Sequence, residues 1–301
     1  MKIGKKSVLK FIVPGFAGLC AFSIIAIVAV LILVLLINGL PDISWKFLTS
    51  APEQGMTSGG IFPAIIGTFF LVLLMSIIGV PVGTITALYL SEYVYQGSTV
   101  VKVIRFAVNT LAGIPSIVYG LFGLGFFVQF IGLGMDKILY GNAIVKWGQP
   151  NILWASLTMA VLTLPVVIVS VEEAIRTVPR ELREASLALG ATRWETILKI
   201  VLPGCSTGIM TGAILAISRG AGEVAPILFT GAAYFLPHLP SSFSDQFMNL
   251  GYHIYIMSTQ SPDVDATRGI QYATTLVLLL LTFSFNIAAV MVRSKMRKKL
   301  V

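Results

Sequence analysis

Residues 172–203 read EEAIRTVPRELREASLALGATRWETILKIVLP and hold ten charges between two long apolar runs. Leu182, Ala185, Ser186 and Leu189 fall at i, i+3, i+4 and i+7. Trp194, Ile197, Leu198 and Val201 repeat that spacing, so the stretch predicts two short amphipathic helices. Gly190 lies between them, where a glycine tolerates the left-handed conformation that ends a helix. Thr192 and Glu195 form a T-x-x-E capping box that starts the second helix. Pro179 suits the first turn of the first helix, and Pro203 suits a break before the next apolar run. This periodicity is compatible both with a staple resting on lipid headgroups and with a plug for a soluble partner.

The setting of that stretch fixes the class. The 301-residue chain is 56% hydrophobic and 11% charged, and its mean hydropathy is +0.90. Soluble domains carry about 25% charged residues, so an all-α integral membrane protein is expected. Cys20 and Cys205 lie in or beside apolar runs and read as small apolar fillers, not a disulfide. The net charge of +8 does not point to nucleic acid, because the basic residues sit at the ends of apolar runs without interleaved aromatics. The inner leaflet of a membrane is their expected partner.

Outward from the charged stretch, the chain divides into six apolar runs. Residues 1–10 form a basic N-terminus with Lys2, Lys5, Lys6 and Lys10, and residues 11–37 form a first transmembrane helix. That run exceeds the about 7 to 15 apolar residues of a cleavable signal, and no small-x-small site follows it. The core, residues 61–292, holds five more runs. These are Ile61–Leu90 with Pro63 and Pro81, Phe106–Ile131 interrupted by Pro115, Ile152–Val171 with Pro165, Cys205 to about Thr230, and Gly269–Val292. Residues 293–301 are a basic tail. In the loop 231–267, Phe243, Phe247, Leu250, Ile254 and Met257 recur at helical spacing and predict an interfacial or re-entrant helix. With the N-terminus inside, sixteen lysines and arginines lie in inner segments and four in outer ones. Both termini and the stretch 172–203 are therefore expected in the cytoplasm.

Several chemistries lack their residues. No G-x-x-x-x-G-K-[ST] occurs, and the Gly4–Lys5 pair lies in the N-terminal tail, so no ATP site is expected on this chain. There is no H-E-x-x-H, no G-x-S-x-G and no Cys/His cluster, so no catalytic residue, metal or redox cofactor is expected. His238 and His253 read as interfacial polar groups, and Phe122, Phe126 and Phe130 as packing or lipid-facing residues. Pro81, Pro115 and Pro165 fit a translocation pathway and equally ordinary helix packing. Arg219 and Glu223 are the strongest intramembrane signal. Four residues apart within the fifth run, they can pair, and Gly220 and Gly222 between them admit a close helix neighbour. They read either as a neutralised pair joining two subunits or as part of a substrate path.

Glu184-Ala185-Ser186, Gly190, and then Ile200-x-Leu202-Pro203 resemble the EAA loop of the membrane subunits of bacterial ABC importers. Ser186 stands where that pattern usually has a second alanine. The resemblance implies a type I importer permease fold with six transmembrane helices. It also implies that Arg180–Leu202 is a coupling segment docked on a separate ATPase, which carries the ATP and Mg²⁺. GGIFPAIIGT at 59–68, LAGIPSIVYGLFGLG at 111–125 and SRGAGEVAPILFTG at 218–231 resemble the phosphate-specific (Pst) permeases, the last stretch closer to the A-type. That implies half of a heterodimeric phosphate pathway in a bacterial or archaeal cytoplasmic membrane. A sister permease, two ATP-binding cassette subunits and an extracytoplasmic phosphate-binding protein would complete it. Arg219 suits an anion, since a guanidinium matches phosphate oxygens bidentately. Phosphonate, molybdate or sulfate permeases are the neighbouring alternatives. An ion-coupled secondary transporter would have Glu223 as its one well-placed membrane carboxylate and no use for the capped helix pair.

Overall fold

The computed structural model describes residues 5–53, 56, 58–95, 97–141, 143–261 and 263–298, with side chains from Val13 to Met296. Lys2 and Gly4 of the sequence reading, and Lys299 in its basic tail, lie outside them. Among the described residues, six helical stretches are long and apolar enough to cross a membrane: Val13–Asp42, Phe62–Tyr93, Ser116–Tyr140, Ile152–Thr177, Arg193–Gly222 and Arg268–Met296.

The first is helix α1 (Lys5–Gly39), whose side chains are exposed along almost its whole described length. It meets the rest of the chain near its end, where Gly39 lies against the backbone of Tyr272. A short helix α2 (Trp45–Thr49), capped by the Ser44 hydroxyl, and a hairpin of β1 (Pro52–Glu53) with β2 (Ser58–Gly59) lead into α3 (Phe62–Leu88). Pro63 takes the first turn of α3, where its missing N–H has no partner to lose. Helix α3 runs on through a π-helical turn, Tyr89–Tyr93.

The third run divides differently from the sequence expectation. Phe106–Ile131 is not one span; it breaks at Gly113–Pro115 into α4 (Thr99–Ala112) and α5 (Ser116–Phe122). Proline removes a backbone donor and pushes the preceding residue out of the helical region, and here it does both between two apolar segments. Helix α5 continues through a π-helical stretch, Gly123–Gly132, into α6 (Leu133–Tyr140), so the span ends nine residues later than hydropathy alone suggests. Phe122, Phe126 and Phe130 stack along its exposed side, and Phe127 stacks on Trp154.

Helix α7 (Ile152–Thr177) is the most buried span and packs chiefly on α3 and on α10 (Leu202–Gly222). Its start is capped by the Asn151 side chain, which accepts from the Trp154 N–H at 2.9 Å. Pro165 lies inside α7 and Pro81 inside α3 without ending either helix. The contact with α10 rests on glycines at four-residue spacing. A Cβ on Gly204 would come 3.1 Å from Val178 and one on Gly212 3.2 Å from Ser170. One on Gly208 would collide with the Cβ of Ala174. Small residues in such a row let two backbones approach and gain dispersion contact along their length, the main attraction available between helices in lipid.

The fifth span also departs from its expected bounds. Its helix starts at Arg193 as α9 (Arg193–Thr196), passes through the π-helical turn Ile197–Val201, and continues as α10 to Gly222. Pro203 therefore does not break the chain. It sits in the first turn of α10, directly after the widened π-helical turn. At the other end the helix stops eight residues short of Thr230, and Val224–Thr230 form turns. The Thr230 carbonyl accepts from the Asn151 N–H at 2.9 Å and ties those turns to the start of α7.

In the 231–267 segment only the second half of the expected helix forms, as α11 (Leu250–Thr259). Phe243 and Phe247 precede it, with Phe247 fully buried and bridged to Ala232. One side of helix α11 packs into the bundle. Leu250, Ile256 and Met257 are wholly buried against α3 and α12 (Arg268–Lys298). His253 is also inside, 2% exposed, whereas His238 is exposed. His253 is therefore a core residue and not a surface one.

Candidate functional site

The charged stretch folds as a helix, a tight turn and a second helix. Helix α8 (Arg180–Ala188) has Pro179 at its N-cap, one residue before the first turn in which the sequence placed it. It ends at Gly190, whose φ of +89° is open to glycine and strained for other residues. The Ala191 N–H donates to the Ser186 carbonyl at 3.2 Å and the Gly190 N–H to the Leu187 carbonyl at 3.0 Å, the paired bonds of a Schellman motif. Both halves of the Thr192–Glu195 capping box form. The Glu195 carboxylate accepts from the Thr192 N–H at 2.9 Å, and the Thr192 hydroxyl accepts from the Glu195 N–H at 3.2 Å.

Three side-chain contacts aim this pair. Ser186 Oγ lies 2.9 Å from Thr196 Oγ1, so the residue that departs from the EAA pattern joins α8 to α9. Arg183 reaches back to the end of α3 and donates to Glu92 Oε1 from Nη2 at 2.8 Å and from Nε at 3.2 Å. Its guanidinium also donates to the carbonyls of Ile175 at 2.9 Å and Val178 at 2.6 Å, capping the end of α7. One side chain thus holds α3, α7 and α8 together. Beside it Arg105 of α4 pairs with Glu172 of α7 at 3.5 Å. Opposite charges 67 and 91 residues apart in sequence carry no signal in a single chain, and sequence reasoning missed both partnerships.

The EAA-like residues land as follows. Glu184 and Ala185 are exposed, Ser186 is half-buried at the contact with Thr196, and Gly190 is exposed at the turn. Ile200, Leu202 and Pro203 are half-buried on the long helix. The apolar residues of the pair do not all point inward. Leu182, Leu189, Trp194 and Leu198 are 51%, 89%, 58% and 43% exposed, whereas Ile197 and Val201 join the core. A helix pair clamped at one edge and apolar on its free surface is suited to receive a partner.

Arg219 and Glu223 do pair, with Nε to Oε1 at 3.6 Å. Their setting differs from the expectation of a mid-helix pair. Arg219 is in the last turn of α10, and Glu223, with φ −80° and ψ 134°, is already beyond it. Their side chains are 37% and 24% exposed, so neither is sealed in a core. Gly220 lets the Met75 side chain of α3 approach as expected, but Gly222 has open space beside it. Next to the pair, Ser218 Oγ lies 2.6 Å from Asn286 Oδ1 of α12, a contact sequence reasoning also missed. The structure does not bring the two candidate sites together. Pro203 and Arg219 are sixteen residues apart on one helix, about 24 Å at 1.5 Å per residue. The unbroken helix Arg193–Gly222 connects them.

Comparison with known proteins places this arrangement. The chain is 34% identical to the probable ABC transporter permease protein YqgI of Bacillus subtilis over 300 residues, 95% of each protein. It is 35% identical to the phosphate transport system permease protein PstA 1 of Mycobacterium tuberculosis over 242 residues, 80% of this chain and 72% of that one. Among solved structures, a bacterial alginate ABC transporter in complex with its pentasaccharide-bound periplasmic protein aligns over 96% of each chain, with TM-score 0.67 and 16% identity. The MetNI methionine ABC transporter in an inward-facing conformation aligns over 79% of this chain and 94% of that one, with TM-score 0.52 and 17% identity. These likenesses show the type I ABC importer permease fold. Residues 79–298, from inside α3 to the end of α12, match the binding-protein-dependent transport system inner membrane component, and the chain belongs to that family.

Proposed function

We propose that this chain is one permease subunit of an ATP-driven importer of inorganic phosphate, and that residues 180–203 couple it to a separate ATPase. The observation that carries the coupling is the unbroken helix from Arg193 to Gly222. One of its ends belongs to an exposed, clamped helix pair, and its other end carries an arginine. A push on α8 and α9 is transmitted along a rod instead of being lost in a loop. Glu184 supplies charge on the free face of α8 and Gly190 sets the angle between the two helices. Ile200, Leu202 and Pro203 fix the helix that receives the motion.

Phosphate as the cargo is supported by the relatives named as phosphate transport system permeases. It is supported also by Arg219, half-exposed at the end of α10 where a planar cation can meet an oxyanion. The remaining parts are a sister permease, two ATP-binding cassette subunits holding ATP and Mg²⁺, and an extracytoplasmic phosphate-binding protein. This chain itself binds no cofactor and catalyses no reaction in this reading. It lies in the cytoplasmic membrane with both termini and α8 in the cytoplasm, following its lysines and arginines.

Two measurements test the reading. Proteoliposomes containing the copurified complex should take up radiolabelled phosphate only with internal ATP and binding protein, and excess sulfate or molybdate should not compete. Competition by sulfate would move the cargo to another oxyanion. Single cysteines at Lys46, Lys146 and Ser261 should react with an impermeant thiol reagent in intact cells, and one at Arg180 should not. Labelling at position 180 alone would reverse the orientation and remove the ATPase contact.

A further inference from the structure

We propose a second oxyanion site in the cleft between α7, α10 and α12, built on Arg293 and lying at the α8 end of the bundle. Of the clefts that open at that end, three are lined by charged residues, and their charges differ. One of about 520 Å³ is lined by Arg105, Arg176, Arg180 and Arg183 but also by Glu92 and Glu184. Another of about 230 Å³ has Arg105 and Arg176 with Glu172 and Glu173. The largest, about 1120 Å³, is lined by Arg293, Thr177, Thr207, Thr211 and Ser294 and by no carboxylate. It alone among these three offers an arginine with no carboxylate beside it; the first sets four arginines against two glutamates and the second two against two.

The guanidinium there is oriented. Arg293 Nη1 donates to Thr211 Oγ1 at 3.2 Å, and the Thr211 hydroxyl in turn donates a hydrogen bond to the Thr207 carbonyl at 2.8 Å. Among the described residues no carboxylate lies within ion-pair distance of Arg293. An arginine has five N–H donors in a planar fork, so one bond to threonine leaves four for a ligand. Planar donors, a fixed orientation and one net positive charge suit a tetrahedral oxyanion bound bidentately.

The cleft is also in line with Arg219. Seven residues beyond Thr211 on α10 is Ser218, and seven residues before Arg293 on α12 is Asn286, and these two are in contact as well. The two helices therefore share two polar contacts, separated by the apolar stretches 212–217 and 287–292. The upper contact adjoins Arg219 and lies about 10 Å of helix axis from the cleft at 1.5 Å per residue. An anion released at Arg219 and moving towards the α8 end would meet a second guanidinium at the cleft. That the ligand is phosphate in transit rests on the importer reading; the site itself rests on the charge and geometry of the cleft. A lipid headgroup phosphate has the same chemistry and could reach the same arginine.

The test uses the full-length chain with Cys20→Ser and Ser294→Cys, in nanodiscs of phosphatidylcholine alone or with phosphatidylglycerol. The rate of maleimide labelling at position 294 is read against inorganic phosphate and against sulfate. Phosphate should slow labelling in phosphatidylcholine discs, and Arg293→Gln should raise the concentration needed by about tenfold or more, as loss of charge-assisted hydrogen bonds requires. Arg293→Lys, which keeps the charge without the fork, should fall between the two and shows that the fold survives. Protection by phosphatidylglycerol without added phosphate, lost in Arg293→Gln, would confirm the site and make a lipid its occupant. Protection by sulfate and not phosphate would keep the site and overturn phosphate as the cargo. Equal labelling rates in the parent and Arg293→Gln proteins under every anion and lipid would overturn the site.

Discussion

Arg219 sits where the carbonyls at the end of α10 already favour a cation, and Glu223 lies outside the helix that holds it. Because both side chains are partly exposed, breaking the pair should cost about 1 kcal/mol or less, well below the about 3 to 5 of a buried pair. Arg219→Gln should therefore assemble normally in the membrane and lose uptake. The double change Arg219→Glu with Glu223→Arg should also assemble and fail to transport, since a carboxylate then replaces the guanidinium on the path. Uptake near the parent level in the swapped protein would make the pair purely structural. His253 gives a second residue-scale expectation. Burial among apolar neighbours pushes its imidazole pKa down to about 4 from the usual 6.5. Folding stability should be full above pH 6.5 and fall as pH drops towards 4, because the unfolded chain takes up a proton that the folded one refuses. At about 1.4 kcal/mol per pKa unit the loss amounts to about 3 kcal/mol. Melting temperatures in detergent at pH 7.5 and pH 4.5 should show it, and His253→Gln should lack that part of the fall. Locally encoded features such as Gly190 and the Thr192–Glu195 box were readable in the sequence because all their partners lie within a few residues. The burial of His253 was not, since it depends on α3 and α12 closing over α11.

Helix α10 is held to α7 by what its glycines leave out. A Cβ at position 208 would occupy the place of the Ala174 methyl, so a larger side chain must push the helices apart. Gly208→Leu should destabilise the fold by about 1 to 3 kcal/mol, the usual range for overpacking, visible as a lower melting temperature in detergent. Gly134→Leu is the control, because nothing lies within 4 Å of a Cβ placed there. The four-residue row Gly204, Gly208, Gly212 was present in the sequence and would have located this interface. The bounds of the elements were harder to read. Hydropathy could not separate α4 from α5, because both flank Pro115 with apolar residues and only the turn at Gly113–Pro115 distinguishes a surface helix from a span. Pro203 misled in the opposite direction. A proline after an amphipathic helix reads as a stop, yet the π-helical turn before it lets the helix continue.

At the scale of the molecule, α7 anchors the bundle, α1 meets it near the end of that helix, and the clamped pair α8–α9 projects from one end with Leu189 and Trp194 uncovered. The six spans and the charged stretch were legible because hydropathy and charge are additive along a chain. The Arg183–Glu92 clamp was not, because it joins residues that only the packing of α3, α7 and α8 brings together. The central claim is that this pair turns ATPase closure into motion of the helix that bears Arg219. Gly190→Leu tests it most directly. No atom lies within 4 Å of a Cβ at that position, so the substitution acts through φ alone, at a cost of about 1 to 2 kcal/mol for a side chain in the left-handed region. ATP-driven phosphate uptake should be measured in proteoliposomes of the copurified complex, beside Glu184→Lys, which reverses a charge on the free face of α8. The account predicts that both variants reach the membrane and keep their helix content but lose uptake by at least about tenfold. Parent-level uptake with undiminished ATPase copurification in both variants would contradict it.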